Sequence, residues 1–227
     1  MGSGWNFDEG HQLESKSSAL RPLEGGGYIP TPTNLKTCRA LVNVKNQDSK
    51  CFAYSVLAGL HPVDNRKHPE KPAHYTEFLD ELDFTGIEFP IRLSAIPKFE
   101  RQNRSISICV LGLDDRGVVV PRYVTRYNKV DGPLKKREKE IDLLLLEDGS
   151  GQQHYALIRH INRLLSRFTA HNGKLIYCRY CIHRFASDKT FRLHVLDCQS
   201  HEACRIIFPS KYAKKKKTKK VPKGETK

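Results

Sequence analysis

The sequence predicts an α+β protein: a medium α+β domain followed by a small ββα metal-binding unit. Three observations predict it. The decapeptide 51–60, CFAYSVLAGL, is apolar on nearly every face, as a helix buried in a domain centre must be. Four strand-like segments then follow one another between residues 105 and 159. Finally, Cys178 and Cys181 stand at the spacing of a metal-binding knuckle, with His194 and Cys198 one helical turn apart beyond them.

In chain order, residues 1–36 form an extended arm. Gly25, Gly26 and Gly27, then Pro30 and Pro32, break regular structure there, and the arm is expected to dock at most through Trp5, Tyr28 and Ile29. The α+β domain spans 37–170. Residues 40–44 read as a short strand, and the polar run 46–49 supplies capping residues for a helix starting near Cys51 and ended by His61-Pro62. Residues 75–82 read as a short helix with Phe78, Leu79 and Leu82 on one side, and 94–102 as another. Ile106, Ile108 and Val110 alternate with Ser105, Ser107 and Cys109 in the period of a strand. Segments 118–125 and 141–146 read as strands separated by a charged loop, 127–139; 154–159 completes a hairpin across the turn 148–151, and 162–168 returns to helix.

The metal-binding unit spans 174–209. Beyond the knuckle, Phe185, Phe191 and His194 fall at the offsets where a ββα zinc finger places its two core residues and its first helical ligand. The expected Zn²⁺ ligands are Cys178, Cys181, His194 and Cys198. Cys198 is preferred because its spacer keeps the helix intact, while His201 and Cys204 are alternatives for the fourth position. A unit this small buries too little apolar surface to fold alone, so metal supplies the folding free energy. The helix residues that would face base edges are Ser187, Thr190 and Leu193. None can make a bidentate base contact, so the finger is not expected to read DNA sequence.

Cys51 opens the predicted buried helix, where the helix dipole lowers a thiol pKa, and His154 opens a strand about a hundred residues later. That order is the one used by papain-like and OTU-like cysteine peptidases, which set a helix against an antiparallel sheet. Gln47 or Asn46 stands where such enzymes place an oxyanion-hole amide, and Gln152 or Asn162 could orient the imidazole. The opposing reading makes Cys51 a small buried hydrophobe and His154 a polar strand end.

The net charge of +14 favours an anionic partner, chiefly nucleic acid bound without sequence preference. Lys211, Lys214 to Lys217, Lys219, Lys220 and Lys223 contribute eight of those charges within a Lys-rich tail, 210–227, expected to be disordered and to act as a nuclear import signal. Seven cysteines, an odd number at ligand-like spacings, point to a reducing compartment, nuclear or cytoplasmic, with the tail favouring the nucleus. No membrane association is expected, because apolar runs such as residues 143–146 reach only four residues and a span needs about 20. Met1-Gly2 opens like a myristoylation signal, but Asn6 stands where Ser or Thr is required.

The chain resembles the region preceding the polymerase in the protein-primed family B DNA polymerases of Maverick/Polinton-type transposons. The matching pieces are Gly2-Ser3-Gly4-Trp5, Tyr28-Ile29-Pro30, Asn43-Val44-Lys45-Asn46 running into Cys51-Phe52, residues 86–90, 98–103, 154–158 and 163–166, and the finger ending at Cys198, together covering nearly residues 1–209. Their order carries the resemblance. It implies a mobile-element-derived copy of that leading module and by itself assigns no biochemical role; the first expectation, from the basic surface and tail, is an accessory module that binds nucleic acid or docks on a replication partner. A second expectation is a peptidase acting on a ubiquitin-like or element-encoded substrate. Polymerase activity is not implied, since no paired-carboxylate polymerase motif is present.

Overall fold

The helix expected at 51–60 organises the domain. A computed structural model describes residues 27–114, 117–125, 137–169 and 173–200. In it, α2 (Cys51–Leu60) buries every residue from Cys51 to Ala58. A preceding short helix, α1 (Thr33–Lys36), belongs to the arm. Asp48 launches α2: its Oδ1 accepts from Lys50 N at 3.1 Å and from Asn46 Nδ2 at 3.0 Å. Near its other end, a Cβ added to Gly59 would lie 2.6 Å from Ile141 Cδ1, so glycine permits the helix to lie close on the sheet.

The sheet has five strands: β1 (Leu41–Val42), β2 (Ile106–Leu113), β3 (Val119–Val124), β4 (Lys139–Glu147) and β5 (Gln153–Ile158), in the order β1-β5-β4-β2-β3. The sequence leads to an antiparallel sheet; this one is mixed. β2 and β4 pair in parallel, with Ile106 opposite Lys139 and Gly112 opposite Leu145, while the other pairs are antiparallel. The cause is the return after β3. β3 takes the outer edge, and residues 137–139 lie at the start of β2, from where β4 runs along its inner side. Arg137 fixes that return: its guanidinium donates to the carbonyls of Glu100, Asn103 and Ile106, and Lys139 N donates to Ser105 O at 3.0 Å.

Strand alternation gives the sheet two dry faces. Ile106, Ile108, Val110, Ile141, Leu143, Leu145, Tyr155 and Leu157 pack against α2 and against α3 (Ile96–Gln102). Leu111, Leu144, Leu146, Ala156 and Ile158 face the other way, onto Ile29 and Leu35 of the arm, Cys38 just after it, and Leu164 and Leu165 of α4 (Ile161–Leu165). Burial on both faces explains why residues 143–146 are an unbroken leucine run.

Several expected elements are shorter or tighter than the sequence implies. The strand at 40–44 is reduced to Leu41–Val42, and the helix at 75–82 is a 3₁₀ helix, Thr76–Glu81. The helix at 94–102 begins with a 3₁₀ turn, Leu93–Ala95, ahead of α3; the one at 162–168 ends as a 3₁₀ turn, Ser166–Phe168, after α4. Beyond them, hairpin β6 (Ile176–Tyr177) and β7 (Arg184–Phe185) is followed by α5 (Asp188–Ser200). Among the described residues, no helix is long and apolar enough to cross a membrane.

Candidate metal centre and its anchorage

The turn between β6 and β7 is a tight knuckle. Ile182 N donates to Cys178 O at 2.8 Å and Cys178 N donates to His183 O at 2.9 Å, with Ile182 in the left-handed region at φ 55°. This brings the thiols of Cys178 and Cys181 to the same side. Phe185 and Phe191 pack together at 5.8 Å between ring centroids, and Phe185 also lies against the His194 ring at 4.7 Å, which seats α5 on the hairpin. His194 and Cys198, four residues apart on α5, then face the knuckle.

The ligand atoms of Cys178, Cys181, His194 and Cys198 all lie within 4.8 Å of one another, a group that can hold a metal ion. Cys178 Sγ and Cys198 Sγ are 3.8 Å apart, and Cys181 Sγ lies 3.2 Å from His194 Nε2. Two thiolates bound tetrahedrally at about 2.3 Å from one ion stand about 3.8 Å apart, so the donors fit a small tetrahedral cation. The alternative fourth ligands, His201 and Cys204, lie outside the described residues.

The hairpin and α5 are anchored to the sheet by a residue that the sequence reading passes over. Arg179, inside the knuckle, extends its guanidinium onto the second face of the sheet. Nε donates to Asp142 Oδ1 at 2.8 Å, Nη2 lies 2.8 Å from the same oxygen, and Nη1 lies 2.8 Å from Glu140 Oε1. Nη2 also reaches Ile141 O at 3.3 Å. Its side chain is only 11 % exposed, so the charge is compensated inside the interface. Burial pushes the Asp142 carboxyl up, and Arg179 opposes that shift. Beside this pair, Cys109 packs under Cys178 and Tyr180, and burial pushes its thiol up to about 12. Tyr177 N donates to Asn162 Oδ1 at 2.9 Å, which ties the hairpin to α4.

The residues considered for peptidase chemistry are placed differently. Cys51 is 2 % exposed on the α2 face, where burial raises its pKa. The residue of β5 that meets α2 is Tyr155, whose carbonyl accepts from Ser55 Oγ at 2.8 Å. His154, one step earlier, points through the opposite face. There its Nε2 lies 2.7 Å from Asn43 Oδ1, and its ring meets Tyr28 edge-on at 5.8 Å. Asn43 Nδ2 donates to Ile29 O and Thr31 Oγ1, both at 2.9 Å, so Oδ1 is the acceptor and the neutral imidazole carries its proton on Nε2. Burial pushes the His154 pKa down to about 4, with the Gly27 backbone opposing.

The structure therefore does not bring Cys51 and His154 together: the sheet lies between them, because alternation along β5 gives Tyr155 the position facing the thiol. Gln47 is exposed, and Asn46 is engaged with Asp48 at the entry to α2. Asn162 serves the hairpin rather than an imidazole. A polar residue ahead of an otherwise apolar strand is the local signal that His154 is a buried side chain, held through Nε2 by Asn43 with Nδ1 left unpartnered; Asn43, 111 residues away, has no local signal. Among known proteins, no family model, no curated protein and no solved structure matches the chain.

Proposed function

We propose that this protein is a zinc-binding accessory module, derived from a mobile element, that binds nucleic acid without sequence preference or docks on a DNA replication partner. The observation that carries the reading is the Cys178, Cys181, His194 and Cys198 group, dimensioned for tetrahedral zinc and anchored to the folded domain of a chain with net charge +14. Zinc here has a structural part: four protein ligands leave no open position for a substrate or water. The helix carrying two of those ligands is poorly equipped to read bases. Thr190 and Leu193 stand exposed on it, Leu193 at 59 %, and Arg192 is engaged by Asp188 at 2.6 Å. Phosphate contact, which depends on charge alone, fits this surface better than base readout. The Lys-rich tail adds to that charge and supports residence in the nucleus.

The test is fluorescence anisotropy of the zinc-loaded full chain with labelled 20-bp duplexes of unrelated sequence, across a series of salt concentrations. The expected result is one affinity for all sequences, falling linearly in log–log form as salt rises. Absence of binding at low salt, or a strong preference for one duplex, would overturn the reading.

A further inference from the structure

Acidic residues are absent from two long segments of the chain, 27–47 and 159–187. The fold joins these segments, though more than a hundred residues separate them. Leu35, Cys38 and Ala40 share one buried cluster with Leu164, Leu165 and Tyr177. Ala40 O accepts from the backbone of Arg159 at 2.7 Å and of His160 at 3.3 Å. Arg167 Nη2 donates to Thr37 Oγ1 at 3.0 Å, and Arg184 Nη1 donates to Thr169 Oγ1 at 3.2 Å. The outer surface of this junction runs from α1 across α4 to the β6–β7 hairpin.

Six cations lie on it: Lys36, Arg39, Arg163, Arg167, Lys174 and Arg184, all exposed. None of the six has an acidic partner among the described residues. The two that are held, Arg167 and Arg184, are held by neutral hydroxyls, which orient a guanidinium without neutralising it and leave most of its five donors outward. What sets the face apart is the absence of acidic residues in its own segments. Lys50, Arg66, Lys67 and Lys71 alternate with Asp48, Asp64 and Glu70, and Arg179 is compensated by Glu140 and Asp142.

We infer that this acid-free face, built by α1, α4 and the β6–β7 hairpin, is the phosphate-binding surface for a nucleic-acid backbone, and that the metal-bound unit contributes its hairpin to it rather than its helix. The inference rests on the nucleic-acid reading above and deepens it by naming the surface. It also gives the metal centre a purpose in binding: the Cys178 and Cys181 knuckle fixes the hairpin that carries Arg184 beside Thr169.

The experiment measures the salt dependence of binding to a mixed-sequence 20-bp duplex with zinc-loaded full-length chains. One variant carries Lys36→Gln, Arg39→Gln, Arg163→Gln and Lys174→Gln; a charge-matched control carries Lys50→Gln, Arg66→Gln, Lys67→Gln and Lys71→Gln. The four face substitutions are expected to reduce the slope of log affinity against log salt by about 3 to 4, close to one for each phosphate no longer neutralised, and the control to leave it nearly unchanged. A Lys/Arg-swapped version of the face, preserving charge, should keep the parent slope. All substituted positions are exposed, and zinc content with circular dichroism verifies folding. Equal losses in both Gln variants would overturn the face in favour of net charge. An unchanged slope in the face variant, with loss only on truncation after Pro209, would assign binding to the tail. Failure of the parent chain to bind DNA overturns the nucleic-acid reading itself, and if it then bound phosphatidylserine vesicles through these cations, the face would belong to a lipid surface.

Discussion

Arg179 and Asp142 form a largely buried ion pair at 2.8 Å that joins the candidate metal-binding knuckle to the central strand β4. A metal-binding unit independent of the domain before it would need no such pairing. Because the pair is desolvated, removing one partner strands the other charge in the interface. Arg179→Ala or Asp142→Ala should each destabilise the chain by about 3–5 kcal/mol, measured by urea unfolding of the zinc-loaded protein. Arg179→Met combined with Asp142→Leu, which replaces both charges by apolar groups, should recover most of that stability. If the single variants unfold at the wild-type midpoint, the pair is not holding the unit to the sheet.

The same interface couples the candidate metal group to a thiol distant in sequence. Cys109 is 1 % exposed beneath Cys178 and Tyr180, and burial holds its pKa far above neutrality. In the zinc-loaded protein it should be inert to a thiol reagent at pH 8. Chelation, or Cys178→Ser, should loosen the knuckle and expose it. Peptide mapping after brief iodoacetamide treatment should show Cys109 labelled at least ten times faster without metal. Equal rates would mean that the ββα unit stays seated when its metal is gone.

Cys51 should behave as a packing residue. It is 2 % exposed with a raised pKa, and the sheet separates it from His154. Its alkylation should be slow in the native state and unaffected by His154→Ala, and Cys51→Ala should cost about 1 kcal/mol of stability through a small cavity. Rapid labelling at low pH that disappears in His154→Ala would instead point to a thiolate–imidazole pair.

His154 gives the fold an acid limit. Its folded pKa, about 4, lies below the unfolded value near 6.5, so the unfolded chain binds the proton more readily. The resulting stability is fully present above pH 6.5 and is lost progressively as the pH falls from 6.5 to 4. The loss amounts to about 3 kcal/mol by pH 4 on that one group. His154→Asn should flatten that limb, seen as urea midpoints that change less between pH 7 and pH 4 than those of the parent. An identical acid limb in the variant would place the titrating group elsewhere.

What the sequence makes legible is what local pattern determines. The buried helix reads directly from residues 51–60, because a helix covered on all sides has no polar stripe. The metal group reads from spacing, since an i, i+4 pair on a helix and a two-residue knuckle are local geometries. The parallel pairing of β2 and β4 does not read locally; the strands pair only after a long excursion through β3, and their alternation is compatible with either direction. Arg179 looks like any charge in a turn until Asp142 and Glu140, about 40 residues earlier, are seen beneath it. Pairing His154 with Cys51 from sequence failed on a register of one residue, which strand alternation turns into opposite faces of the sheet.

X-ray absorption at the zinc edge, on the full chain purified with its metal, tests the four-ligand centre most directly. The geometry predicts one zinc per chain with three sulfur neighbours at about 2.3 Å and one nitrogen at about 2.0 Å, and loss of that zinc in Cys198→Ala. A chain purified without zinc, or a two-sulfur, two-nitrogen shell that persists in Cys198→Ala, would contradict it.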